Sequence, residues 1–310
     1  MAKWPEKKLG FGLMRLPRKE NREIEIEKVS RMADTFLANG FTYFDTAYVY
    51  GGSEEAFRKA VVERHPRESF TVASKMAAWQ LNDTFRPADM FQTSLSRCGI
   101  TYFDYYLMHS LQESHGTVYE DNGCWEFGAQ MKKEGKIKYL GFSFHGSPAL
   151  LEKLLSEHPE VDFVQLQINY VDWDDENIAS GRNYELCEKF NKDVVVMEPV
   201  KGGLLANLRP EARACLDDCD PAASSASYAL RFAAALPNVK VVLSGMSTQE
   251  QMEDNVEVFK GLKPLTEAES EAIKEVCKIL LSTPAVPCTS CRYCVKGCPK
   301  AIQIPDIFKQ

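Results

Sequence analysis

Four side chains with complementary chemistry stand at the C-terminal ends of strand-like runs: Asp45, Tyr50, Lys75 and His109. A phenol with a pKa of about 10 is a weak acid at neutral pH, but a nearby ammonium favours phenolate. A Lys-paired Tyr can therefore give a proton to a developing alkoxide. In that arrangement Lys75 tunes Tyr50, Asp45 supplies the counter-charge that a desolvated ammonium needs, and His109 orients the carbonyl oxygen. Each residue alone has a plainer reading, a strand-end structural Lys or His, or an Asp capping a turn before Thr46. Together they describe proton donation to a carbonyl oxygen held in place.

A second constellation lies near the C-terminus. Four of the ten cysteines fall within eleven positions, as Cys288-x₂-Cys291-x₂-Cys294-x₃-Cys298-Pro299. This is the spacing in which thiolates wrap an iron–sulfur cube, whereas zinc sites more often pair two Cys-x-x-Cys units across a longer loop. The run predicts a [4Fe–4S] cluster on Cys288, Cys291, Cys294 and Cys298. The fourth ligand has alternatives, because Cys187 or Cys277 would also complete the cube. Otherwise Cys98, Cys124, Cys187, Cys215, Cys219 and Cys277 read as small core residues.

Strand ends must bring Asp45 and His109 together. Eight short runs rich in β-branched and aromatic residues alternate with helical patterns: Leu9–Met14, Tyr43–Ala47, Phe70–Met76, Asp104–His109, Ile137–His145, Phe163–Tyr170, Val194–Val200 and Val239–Met246. Most are spaced for one strand and one crossover helix, which predicts an α/β fold, a (β/α)₈ TIM barrel with its chemistry at the C-terminal rim. The helical stretches include Glu25–Asn39, one opening at Ser53 with a capping hydroxyl and two acids, Pro87–Arg97, Cys124–Lys133, Ala149–Ser156, Asn183–Phe190, Ser224–Ala235 and Gln249–Phe259. The link from Lys201 to Asp220 reads as a long loop over the barrel mouth. A further helix starts at Thr266, and Thr283-Pro-Ala-Val-Pro breaks it. The expected division is a barrel over 1–262 and, over 263–310, a helix with a small ferredoxin-like cysteine segment that needs a staple to hold it.

The 310 residues carry 37 Lys and Arg against 44 Asp and Glu, a net −7 without a long basic run, which argues against nucleic acid. Apolar stretches are far short of the roughly 20 residues of a membrane span, and no apolar segment follows the charged N-terminus, so neither a membrane protein nor a secreted one is expected. The expectation is cytoplasmic.

The segment Phe44-Asp-Thr-Ala-Tyr-Val-Tyr-Gly51, with Ser53 and Glu54, and the runs ending at Lys75 and His109, resemble the aldo-keto reductase family over most of the chain, from Leu9-Gly-Phe-Gly-Leu-Met-Arg to about Phe259. That resemblance implies Asp45, Tyr50, Lys75 and His109 as a catalytic tetrad and hydride transfer between nicotinamide and an aldehyde or ketone. It also implies cofactor contacts from Gly12 and Met14, from Ser143 and Gln165 to the carboxamide, from Met197 where an aromatic is usual, and from Ser244, Gly245, Ser247, Gln251 and Asn255 to phosphate and adenosine. The basic residue usual for NADP near Ser247 is absent, so NADP(H) and NAD(H) both stand, with Lys201 or a residue of the long loop as substitute cation. Met197-Glu-Pro-Val-Lys-Gly-Gly203 and the tail through Phe308 resemble the ferredoxin-tailed branch. Many members of that branch continue into a second Cys run, so this sequence reads as a natural short form or a truncated one. The implied partner is a small carbonyl or alcohol substrate. Two other readings remain: a cluster-coupled oxidoreductase with an electron-transfer partner, and a nicotinamide-binding redox sensor or regulatory subunit.

Overall fold

The computed structural model describes residues 2–282, 294–295, 298–300 and 302–308. Eight parallel strands, β1 (Leu9–Gly12), β2 (Tyr43–Asp45), β3 (Thr71–Met76), β4 (Phe103–Leu111), β5 (Ile137–Phe144), β6 (Phe163–Gln167), β7 (Asp193–Met197) and β8 (Val239–Ser244), follow one another in sequence order. The barrel closes where β1 pairs with β8. Each strand overlaps its expected run. β4 continues past His109 to Leu111 because an irregularity between Met108 and Leu111 lets it rejoin β5.

Crossover helices cover the outside: α1 (Ile26–Ala38), α2 (Ser53–Phe57), α3 (Pro87–Cys98), α4 (Val118–Asp121), α5 (Cys124–Lys133), α6 (Pro148–Glu157), α7 (Ser180–Lys189), α8 (Pro210–Asp217), α9 (Ser225–Ala235) and α10 (Gln249–Lys260). Beyond them α11 (Glu267–Leu281) opens on a capping box, with the Thr266 hydroxyl accepting from the Glu269 N–H and the Glu269 carboxylate accepting from the Thr266 N–H. Its apolar face packs Ile273 and Val276 against Leu205, Ala212 and Leu216.

Two sequence expectations are corrected. The stretch from Lys201 to Asp220 is not a plain loop, because Pro210 starts α8, with Ala212 and Leu216 four apart on its buried side. Ser53 is not a capping hydroxyl. Gly52 holds the cap position at φ 79°, and the Ser53 Oγ donates to the Leu13 carbonyl at 3.0 Å.

The barrel interior explains how the site is positioned. Tyr43, Ala73, Tyr105, Leu107, Phe163, Val195, Val241 and Leu243 pack together inside it. Side chains alternate along a strand, so the residue two places further on points the same way. That rule carries Asp45, Lys75, His109, Gln165 and Met197 inward at the C-terminal rim, above an apolar floor. The opposite end is plugged by Trp4, stacked on Tyr105 at 4.9 Å and edge-on to Phe163 at 5.3 Å.

Close packing in this interior fixes two glycines. A methyl group on Gly10 would lie 2.7 Å from Leu243 Cδ2, and one on Gly141 would lie 2.6 Å from the Phe163 carbonyl oxygen. Backbone cannot yield as a flexible side chain can. Gly141→Ala is therefore expected to lose about 1–3 kcal/mol in urea unfolding; an unchanged midpoint would show that β5 and β6 are not in contact there.

Candidate active site

Lys75 has no exposed surface, and Asp45 is 3% exposed. The Lys75 Nζ donates to Asp45 Oδ1 at 2.5 Å and to the Thr46 carbonyl at 2.7 Å. Burial opposes both charges, pulling the Lys75 pKa down and pushing that of Asp45 up, while their mutual attraction works the other way. The same ammonium lies 5.1 Å from the centre of the Tyr50 ring. Tyr50 and His109 meet edge to face with ring centres 5.7 Å apart. Asp45, Tyr50, Lys75 and His109 thus converge on one spot at the rim.

The loop that carries Tyr50 is tied at both ends. The Tyr50 N–H donates to the Ala47 carbonyl at 3.0 Å, and the Ser53 N–H donates to the Tyr50 carbonyl at 2.8 Å. Thr46 and Ser53 hydroxyls lie 2.8 Å apart, and the buried Glu54 accepts from Ser74 Oγ at 2.7 Å. The Glu54 charge also favours the protonated Lys75.

His109 is buried, and this, with Lys75, His145 and His115 nearby, drives its pKa well below the usual 6.5. It is neutral at pH 7 and can donate one hydrogen bond without carrying charge. His145 lies in the cleft, where the surrounding protein brings its pKa down to about 4. Trp79 stacks on His115 at 4.7 Å and sits 5.3 Å from His109.

From Tyr50 and His109 a cleft of about 560 Å³ runs to the β8–α10 junction. Gly12, Met14, Ser143, Gln165 and Met197 line it nearer the rim, and Ser244, Gly245, Ser247, Gln251 and Asn255 line it further along. Many of its polar groups are pre-set: Ser143 Oγ accepts from the Ser110 N–H at 2.7 Å, Asn255 Nδ2 donates to Ser244 Oγ at 2.8 Å, and Gln251 Oε1 accepts from the Ser247 N–H at 2.7 Å. Among the described residues that line the cleft, three buried atoms have no hydrogen-bond partner, Asp45 Oδ2, His109 Nδ1 and Gln165 Oε1. Orphaned buried acceptors of this kind match the amide and hydroxyl donors of a nicotinamide riboside.

Residues 8–278 match the family model described as the aldo/keto reductase family. The chain belongs to the aldo/keto reductase family. It is an oxidoreductase. Among its relatives, the uncharacterized oxidoreductase YqkF of Bacillus subtilis is 25% identical over 302 residues, covering 86% of this chain and 91% of that protein. Aldo-keto reductase str7 of Strobilurus tenacellus is 28% identical over 182 residues, 56% of this chain and 51% of its own length. An aldo/keto reductase from Klebsiella pneumoniae, solved with NADP and acetate, superposes with a TM-score of 0.71 at 17% identity, over 89% of this chain and 95% of that one. The last of these likenesses shows the barrel fold.

Several features of this reductase escape a reading of the sequence. Arg15 Nη2 lies 3.3 Å from Glu198 Oε1, joining the loops after β1 and β7 across the cleft. Glu198 also accepts from the Gly202 N–H at 2.8 Å, and burial raises its pKa. Lys201, expected as a substitute cation, is 6% exposed and ion-paired with Asp172, so it is not available to the cleft. The other Asp172 oxygen accepts from Gln167 Nε2 at 2.8 Å and Asn169 Nδ2 at 2.7 Å. Ser110, Glu198 and Lys201 all have positive φ, at 57°, 55° and 46°, a cluster of strained backbone around one site. Of the aromatic residues near strand ends, Trp125 is core, stacked on His158 at 3.8 Å, Trp173 packs on Phe232 at 5.6 Å, and Tyr48 lies 4.5 Å from the Arg97 guanidinium.

The cysteine run falls only partly within the described residues: Cys288 and Cys291 lie outside them, and Cys294 and Cys298 are free thiols. Among the described residues no group of three or more His, Cys, Asp or Glu is arranged to hold a metal. Cys187 is fully buried on α7, and burial pushes its thiol pKa up. Cys277 donates to the Tyr170 carbonyl at 3.5 Å, and its pKa is raised to about 11. Among the described residues no helix is long and apolar enough to cross a membrane.

Removing one member of a buried ion pair strands its partner, at a cost of about 3–5 kcal/mol. Asp45→Asn and Lys75→Met should each lower urea stability by that order, and the double variant by clearly less than their sum. Additive losses would mean that the two groups do not interact.

Proposed function

We propose that this aldo/keto reductase uses NADH or NADPH to interconvert an aldehyde or ketone and its alcohol, with Tyr50 as general acid and base. The observation that carries this is the buried Lys75 ammonium, anchored by Asp45 and set beside the Tyr50 ring. Support comes also from the unpartnered Asp45 Oδ2 and Gln165 Oε1, and from NADP in the Klebsiella pneumoniae structure. When bound, the nicotinamide supplies or accepts the hydride at the carbonyl carbon. Tyr50 gives its proton to the oxygen as negative charge develops there, and Lys75 stabilises the phenolate left behind. Neutral His109 donates a hydrogen bond that orients that oxygen. Ser143 and Gln165 hold the carboxamide, Gly12, Met14 and Met197 frame the ring and ribose, and Ser244, Gly245, Ser247, Gln251 and Asn255 receive phosphate and adenosine.

The second part of the proposal is a [4Fe–4S] cluster on Cys288, Cys291, Cys294 and Cys298, in a C-terminal segment over 263–310 appended to the barrel over 1–262, as in the ferredoxin-tailed branch. Its support is the four-thiolate spacing followed by Pro299. Hydride transfer needs no one-electron carrier, so the cluster's role is to staple a segment too small to hold its own core. A thiol-rich chain of this kind suits the reducing cytoplasm.

Tyr50→Phe should reduce carbonyl turnover by about 10²–10⁴-fold while dinucleotide still binds. Loss of binding as well, or full activity, would refute the assignment. Anaerobically purified protein should contain about four iron and four sulfide per chain. Stoichiometric zinc without sulfide would overturn the cluster.

A further inference from the structure

The strands that carry Lys75 and His109 part company at the rim. β3 and β4 run in register from Ala73 opposite Tyr105 to Met76 opposite Met108, where β3 ends. On its other side β4 pairs Met108 with Phe142 and then Leu111 with Phe144, so that His109 and Ser110 together stand opposite Ser143 alone. An extra residue of this kind breaks the ladder, and Ser110 takes it up with a φ of 57°. Regular pairing therefore holds His109 on neither side. Nor does a bond at its ring Nδ1, since among the described residues that atom has no partner.

Tyr119 supplies the missing tie. From α4 its buried hydroxyl donates to the His109 carbonyl and lies 3.3 Å from the carbonyl oxygen of Met76, the residue after Lys75. One phenol thus spans the ends of both strands. Burial drives its pKa well above the usual 10, so it keeps the proton that it donates. The ring packs near Trp125, with centres 6.3 Å apart, and α4 is braced by Thr117 Oγ1, which donates to Asp121 Oδ2 at 2.8 Å. We propose that Tyr119 is a positioning residue for the reaction: it fixes the His109 backbone against the end of β3, and so keeps the imidazole at the Tyr50 ring. The inference rests on the proposed function, in which His109 orients the oxygen that Tyr50 protonates. Such geometry is demanding, and a displacement of about 1 Å costs on the order of 10²-fold in rate.

The test uses the purified full chain, NADH and NADPH, and a panel of small aldehydes and ketones beginning with 4-nitrobenzaldehyde. Tyr119→Phe keeps the ring and removes the donor. At equal folded fraction it should lower kcat by about 10–100-fold while dinucleotide affinity is unchanged. A role in stability alone would leave the kcat of the folded molecules untouched. Because Tyr119 acts through His109, adding Tyr119→Phe to His109→Ala should cost little further rate. Replacing Tyr119 by 4-aminophenylalanine puts a donor back on the same ring and should restore most of the activity. If Tyr119→Phe is too unstable to assay, 4-fluorophenylalanine, which fills the space of the hydroxyl without donating, takes its place. Native kcat in the donor-free variant, or losses that multiply with that of His109→Ala, would overturn the inference while leaving the proposed function intact. A native chain that binds dinucleotide but reduces no carbonyl of the panel would sink the inference and the proposed function together.

Discussion

An ammonium with no exposed surface, held between a carboxylate and a backbone carbonyl, is the constraint around which the rim of this barrel is built. Removing two charges from water costs several kcal/mol per ion before their attraction offsets it. Here the offset is incomplete, because Asp45 Oδ2 is left without a hydrogen bond. A well-packed apolar pair at the same depth would serve stability as well or better. The position of Lys75 beside the Tyr50 ring gives the pair a reason that packing does not. The Thr46 carbonyl, the Thr46 and Ser53 hydroxyls and the buried Glu54 then act as the frame that keeps lysine and phenol in register.

Much of this was legible in the sequence, because the information is periodic. Two-residue alternation along β2, β3, β4 and β6 puts Asp45, Lys75, His109 and Gln165 on the inner face, and the apolar residues two places earlier in each strand form the floor beneath them. Cys124–Lys133 was readable to the residue, bounded by Gly123 before it and by two lysines in its last turn. What local patterns did not reveal was pairing at a distance. Nothing near Lys201 in sequence says that its partner is Asp172, and nothing near Arg15 points to Glu198, 183 residues away. The missed helix α8 did carry a signal in Pro210 and the Ala212–Leu216 spacing, but its burial depends on α11, more than fifty positions later.

The three non-glycine residues with positive φ around the cleft fit the same picture. Ser110 follows His109 directly, and its N–H is fixed by Ser143, so the turn sets both the histidine and the serine. Glu198 and Lys201 bracket Pro199 and Val200 and are held by Arg15, Gly202 and Asp172. The loop after β7 is thereby tied at both ends by ion pairs, Arg15 to Glu198 and Lys201 to Asp172.

The central claim is that the Lys75 charge lets Tyr50 release its proton to substrate. The most direct measurement is the pH dependence of carbonyl reduction in the native chain against Lys75→Met, compared at equal folded fraction. The account requires the substitution to slow the reaction at pH 7 and to move the alkaline limb of the profile to higher pH. Superimposable profiles would contradict it.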